Sequence, residues 1–181
     1  MSDDCLIGGT EKRDIVIVDY DPRWPSKFAR HSEIIGQALR ESALSVQHVG
    51  STAVPGLAAK PIVDILIVVE DSSDESAYLP ALAAAGYVLR IREPKWHEHR
   101  MLRTPELDVH IHVFSRGRVE VDRLLAFRNW LRRCAEDRAL YESVKRKLAQ
   151  QDWSTMNAYA DAKSEIIEQL VARAFQAQGK L

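Results

Sequence analysis

The run at residues 62–69, Ile-Val-Asp-Ile-Leu-Ile-Val-Val, is apolar at both parities except for one carboxylate, Asp64. A strand of this kind is buried on both faces. Leaving Asp64 unpaired within it would cost roughly several kcal/mol. Asp64 therefore calls for a metal, a cation or several hydrogen-bond donors, and Lys60 could supply such a charge structurally.

The rest of the chain supplies cover for that strand. Short β-type runs occur at 15–18, 45–49, 87–91, 99–103 and 108–114, and helical spacing at 25–42 and 76–85, the latter stopped by Gly86. From residue 120 the pattern is helical almost to the end, divided near 136–137 and again around 151–155. The order β-α-β-β-α-β-β-β followed by a helical C-terminal third predicts an α/β (α+β) protein, a mixed sheet covered by helices. With 181 residues and no repeat or low-complexity linker, one domain over 14–178 is expected, after a polar, mobile N-terminal tail over 1–13.

Charge limits the partners. Twenty-five basic and 26 acidic residues leave a net charge of −1, which argues against coating nucleic acid or an anionic membrane, while leaving room for a local basic site. No apolar run is long enough to span a bilayer, and the first residues carry no signal-peptide pattern. Cys5 and Cys134 lack CxxC spacing and read as reduced thiols. A cytoplasmic protein is expected. No feature sets an oligomeric state.

The segment HVGSTAVPGLAAKPIVDI, residues 48–65, carries the chemistry. Gly50 permits a positive φ or a close backbone approach, and Ser51 and Thr52 follow with hydroxyls and N–H groups that suit an anion if a helical turn begins there. A phosphate cradle beside a carboxylate on a strand is what metal-assisted phosphoryl chemistry needs. The plain alternative is an ordinary Gly-Ser-Thr turn. His48 is either a general base or a satisfied, buried histidine at a strand end.

Further along, Asp108, His110 and His112 alternate with Val109, Ile111 and Val113, placing a carboxylate and two imidazoles on one strand face. Histidine shifts the expected ion from Mg²⁺ toward Zn²⁺, Mn²⁺ or Fe²⁺. The competing reading is a polar face turned to solvent. Between 90 and 103, Arg92, Lys95 and Arg100 could bind phosphate and Trp96 could stack on a base, although a mixed-charge connecting loop would look the same. Arg100 and Arg103 have opposite parity and do not form a pair. In the first long C-terminal helix, Val121, Leu124, Leu125, Phe127 and Leu131 mark an apolar face, and Arg123, Arg128, Arg132 and Arg133 a solvated one. Lys163, one helical turn after Tyr159, reads as a surface lysine beside Asp161 or as a phosphate ligand.

Taken together, HVGSTAVPGLAAKPIVDI, DYDPRWPSKF (19–28), LDVHIHVF (107–114), LLAFRNWLRRC (124–134), YESVKRKLAQ (141–150) and NAYADAKSEII (157–167) resemble the GrpB family over about residues 15–175. The resemblance implies a nucleotidyltransferase fold of the polymerase β type. It implies a nucleotidyl or phosphoryl transferase in which Gly50, Ser51 and Asp64 match the superfamily pattern; with the residues read above, Asp64 and His112 would be catalytic and Gly50, Ser51, Thr52, Lys60, Arg92, Lys95 and Arg100 would bind the phosphates. Asp64, His110 and His112 would hold a divalent metal (Mg, Mn or Zn), and the ligand would be a nucleotide or phosphorylated small molecule. The superfamily pattern has a second carboxylate two residues after the first, and here that position is Leu66. Leu66 supports the alternative of a non-catalytic nucleotide- or CoA-type-ligand-binding or accessory module, a role the family also plays fused to dephospho-CoA kinase. Asp-x-His-x-His is also similar to the motif of histidine-triad nucleotide hydrolases, whose first position would be Asp108.

Overall fold

A computed structural model describes residues 5–9, 11 and 14–179. Helix α1 (Trp24–Leu39) opens with Pro25 in its first turn, where the missing N–H costs nothing, and ends through a short 3₁₀ turn at Arg40–Ser42. Strands β1 (Ser45–Val49) and β2 (Val63–Val69) follow, then α2 (Leu79–Ala84), β3 (Val88–Glu93), β4 (His99–Arg103) and β5 (Val109–Ser115). The C-terminal third is α3 (Val119–Arg133), α4 (Ala135–Ala149), α5 (Met156–Asp161) and α6 (Ser164–Ala177). No helix among the described residues is long and apolar enough to cross a membrane.

The sheet runs β1-β2-β5-β4-β3, with β2 and β5 parallel at its centre and the other neighbours antiparallel. Alternation along β2 splits its side chains between two layers. Val63, Ile65, Ile67 and Val69 meet Val109, Ile111 and Val113 beneath α1 and α2, with Trp24, Ile35, Leu39, Tyr78 and Leu82 closing that core. Leu66 and Val68 face the other way, packing with Val49 and Phe114 against Val121, Leu124 and Leu125 of α3. A third cluster joins the loop after β1, through Val54 and Leu57, to Phe127, Leu131, Tyr141, Leu170 and Val171 of the C-terminal helices. The expectation of a mixed sheet with both faces covered is met.

Several boundaries shift by one to three residues, and two differences have a local cause. Residues 15–18 form no strand: Val18 makes a single bridge to Ala59, and the ladder stops there because Pro61 has no N–H to continue it. The break expected near 136–137 falls at Cys134, whose φ of −101° and ψ of 102° separate α3 from α4. The expected tail lies partly outside the described residues. Of those described, Leu6 bridges Ile91, and Arg90 donates to the carbonyls of Ile7 and Gly9.

Candidate functional site

The site is built at the end of the two central strands. In the parallel β2–β5 register Asp64 lies beside His110, and Leu66 beside His112. Neighbours in register share a face, so Asp64 and both imidazoles point to the α3 side. Asp64 Oδ1 is 3.6 Å from His110 Nδ1 and 3.7 Å from His112 Nε2. Burial alone would raise the Asp64 carboxyl, but the two imidazoles, when they carry a positive charge, outweigh it and hold the group far below the usual carboxylate range. Antiparallel β1 returns Val49 opposite Asp64. The next residue, Gly50, has φ +69°, and a Cβ there would lie 2.4 Å from Asp64 Oδ2. Glycine is required at this point twice over, by conformation and by contact.

After Gly50 the chain turns through a 3₁₀ turn at Ser51–Ala53, and the C-terminal helices hold it in place. Arg128 donates to the His48 carbonyl at 2.8 Å and Arg132 to the Ala53 carbonyl at 2.9 Å, so these two arginines are latches on the loop and not part of a solvated face. Ala58 N donates to Glu142 Oε2 at 3.0 Å. Lys145, 2% exposed, donates to Ser51 Oγ at 3.1 Å and to the Ala58 carbonyl. His48 is buried, stacked on Phe28 and 3.0 Å from Thr52 Oγ1. Burial pushes it down to about 4 against the pull of Asp64, so it serves as a neutral prop and not as a base in the cleft. Its contact also occupies the Thr52 hydroxyl.

Gly50, Ser51, Asp64, His110 and His112 form one wall of a cleft of about 370 Å³, and Lys60, Lys145, Lys163, Tyr141 and Tyr159 face them. Lys60 and Lys163 stand over the Tyr159 ring at 5.2 and 4.5 Å, and Lys145 over Tyr141 at 4.8 Å. Burial, then the charge of Lys163, pushes Lys145 down to about 7. Burial, then Lys60, pushes Lys163 down to about 8 against the pull of Asp64. The Tyr159 hydroxyl is buried without a hydrogen-bond partner among the described residues. A cleft that gathers Lys60, Lys145 and Lys163 near Asp64 and leaves a buried hydroxyl to donate suits an anion with acceptor oxygens.

Other expected site residues lie elsewhere. Arg92 and Arg100 pair with each other across β3 and β4, and Arg100 pairs with Val113. Val113 belongs to the core under α1 and α2, so both arginines project to the opposite face from Asp64, where each binds Glu75. Lys95 is exposed beside Trp96 in a separate hollow. Asp108 precedes β5 and turns away, bound by Lys27 of α1 and by Thr104 Oγ1 at 2.7 Å, so the row of three ends at two histidines. Lys163 does not share a helix with Tyr159, since α5 ends at Asp161 and Lys163 precedes α6.

Lys145 and the Tyr159 hydroxyl were not singled out from the sequence. The signal was present for the lysine: Asp137, Tyr141 and Lys145 recur every four residues and are the buried residues of α4. Leu66, at the position of the missing second carboxylate, is fully buried under α3, and its register neighbour His112 brings an imidazole to the adjacent strand. No group of three His, Cys, Asp or Glu side chains among the described residues forms a ready-made metal cage. Two carboxylate–imidazole pairs sharing one oxygen are present instead. Ligand atoms each about 2.1 Å from one tetrahedral ion stand about 3.4 Å apart, close to both observed pairs.

The mixed sheet and the helices that cover it form a nucleotidyltransferase-like fold. The chain superposes on a crystal structure of Cid1 poly(U) polymerase with a TM-score of 0.56 at 14% identity, covering 81% of this chain and 49% of that one, a likeness of fold. It superposes on the conserved protein GrpB from Enterococcus faecalis with a TM-score of 0.81 at 31% identity, covering 90% of this chain and 99% of that one. The GrpB protein family model matches residues 14–173. A UPF0157 protein of Halalkalibacterium halodurans is 54% identical over 160 residues, 88% of this chain and 82% of that protein. The chain belongs to the GrpB family.

Proposed function

We propose that the cleft binds the phosphates of a nucleotide or phosphorylated small molecule, and that the protein is a metal-dependent nucleotidyl or phosphoryl transferase acting on a small-molecule acceptor. The observation that carries this reading is the facing of Ser51, Asp64, His110 and His112 by Lys60, Lys145 and Lys163 across one cleft. Ser51 and the lysines would hold phosphate oxygens, and the Tyr159 hydroxyl would donate to one of them. Asp64 with His110 and His112 would hold the divalent ion (Mg, Mn or Zn). When bound, such an ion bridges and neutralises phosphate oxygens. Thermal denaturation with nucleoside triphosphates, with Mn²⁺, Zn²⁺ or chelator, tests this. The expected result is a metal-dependent rise in Tm for the wild type, absent in Asp64→Asn. No rise with any combination would sink the proposal.

Leu66 favours a second reading. Two-metal transfer relies on carboxylates that bridge ions, and a buried leucine supplies none. Binding without turnover would then be the function, and the nucleotide would be recovered intact after long incubation with the protein and metal.

A further inference from the structure

A chain of polar side chains crosses four strands of the sheet. Glu93 on β3, His99 on β4, His112 on β5 and Asp64 on β2 lie on the cleft face. Glu93 and His99 are register partners, with Glu93 Oε2 2.7 Å from His99 Nδ1. His99 Nε2 is 3.0 Å from His112 Nδ1, and His112 Nε2 is 3.7 Å from Asp64 Oδ1. Glu93 and His99 are buried. The His99 ring stacks on Phe114 at 4.7 Å and takes the edge of Trp96 at 5.4 Å, so it cannot turn without disturbing the packing. The His99 and His112 ring planes lie within 15° of each other.

We infer that Glu93 and His99 are positioning residues that hold His112 in the tautomer with its hydrogen on Nδ1, so that Nε2 presents a lone pair to the cleft beside Asp64. The inference rests on the reading of this cleft as a metal-assisted phosphate site. The hydrogens follow from the order of partners. A carboxylate only accepts, so His99 Nδ1 carries the hydrogen. A neutral His99 then accepts at Nε2, and His112 must donate from Nδ1. A neutral His112 is left bare at Nε2. Its gap to Asp64 is too long for a hydrogen bond, and two acceptors facing each other across it are a pair of ligand atoms for a cation. Were the hydrogen on Nε2 instead, His112 would be a donor toward Asp64 and could not ligate.

Glu93→Gln tests the relay, because an amide in that place can donate to His99 Nδ1 and reverse both rings. Long-range ¹H–¹⁵N NMR on histidine-labelled protein at pH 8 reads the tautomers, with His112→Ala identifying the signals. The wild type should show His112 Nδ1 protonated and Nε2 bare, and Glu93→Gln should show the reverse. His99→Phe, which keeps a ring against Phe114, should release His112 to a mixture; this variant and the wild type decide the matter if Glu93→Gln does not fold. A wild-type hydrogen on His112 Nε2, or on both nitrogens, overturns the inference, as does an unchanged His112 in folded His99→Phe. Calorimetric titration with Zn²⁺ should show affinity about 10–100-fold weaker in Glu93→Gln. A wild type with the expected tautomer that takes up no Zn²⁺ supports the relay and overturns the metal reading alone.

Discussion

Lys145 is the residue on which stability and binding pull in opposite directions. Its folded-state value of about 7 lies below the ordinary lysine range near 10.4. Between those two values the unfolded chain holds a proton that the folded protein has released, so stability rises with pH across that window and is lowest below pH 7. Lys145→Met should flatten this rise, which denaturant titrations at pH 6.5, 8 and 9.5 would register as a smaller spread of midpoints than in the wild type. An anionic ligand has the opposite preference, since it favours the ammonium. Triphosphate binding to the wild type should therefore weaken as pH rises through 7 to 8, with proton uptake on binding at pH 8 visible as a buffer-dependent heat. Equal heats in buffers of different ionisation enthalpy would contradict the placement of phosphate at Lys145.

At the level of elements, the C-terminal side of the cleft depends on a short helix with a single cap. Thr155 Oγ1 accepts from Ala158 N at 3.1 Å and starts α5, which carries Tyr159. Thr155→Val keeps the shape but removes the acceptor and should cost about 1 kcal/mol, measured by urea denaturation, with a parallel loss of ligand affinity. Periodicity made much of the fold legible: β4 is expected at 99–103 and occurs as His99–Arg103, β2 starts one residue later than expected, and β5 is shifted by one residue at both ends. The Gly50–Asp64 pair was legible as well, because a carboxylate in an apolar run and a glycine before two hydroxyls each demand a reason. Less legible was anything set by which face a strand shows. Arg92 and Arg100 match phosphate-binding chemistry in composition, yet their register sends them to Glu75 on the far face. Glu93 was hidden for the converse reason, since a buried glutamate at a strand end reads as a surface residue until its neighbours are known.

For the molecule as a whole, the core and the cleft depend on one long-range event, the parallel pairing of β2 with β5 across an intervening α2, β3 and β4. Such pairing forms late, because the chain must close a long loop before any contact rewards it. Biogenesis carries the consequence. While a ribosome is still making residues before 109, β2 has β1 on one side and a bare edge on the other, with apolar side chains on both faces and no α3 to cover Leu66 and Val68. A bare apolar edge of that kind is a template for aggregation. Fragments ending near residue 105 should accumulate as insoluble protein, and those ending after α3 should partition increasingly into the soluble fraction, as sedimentation of expressed material would show. The strand that presents Asp64 to the cleft is thus also the segment that most exposes the nascent chain to aggregation.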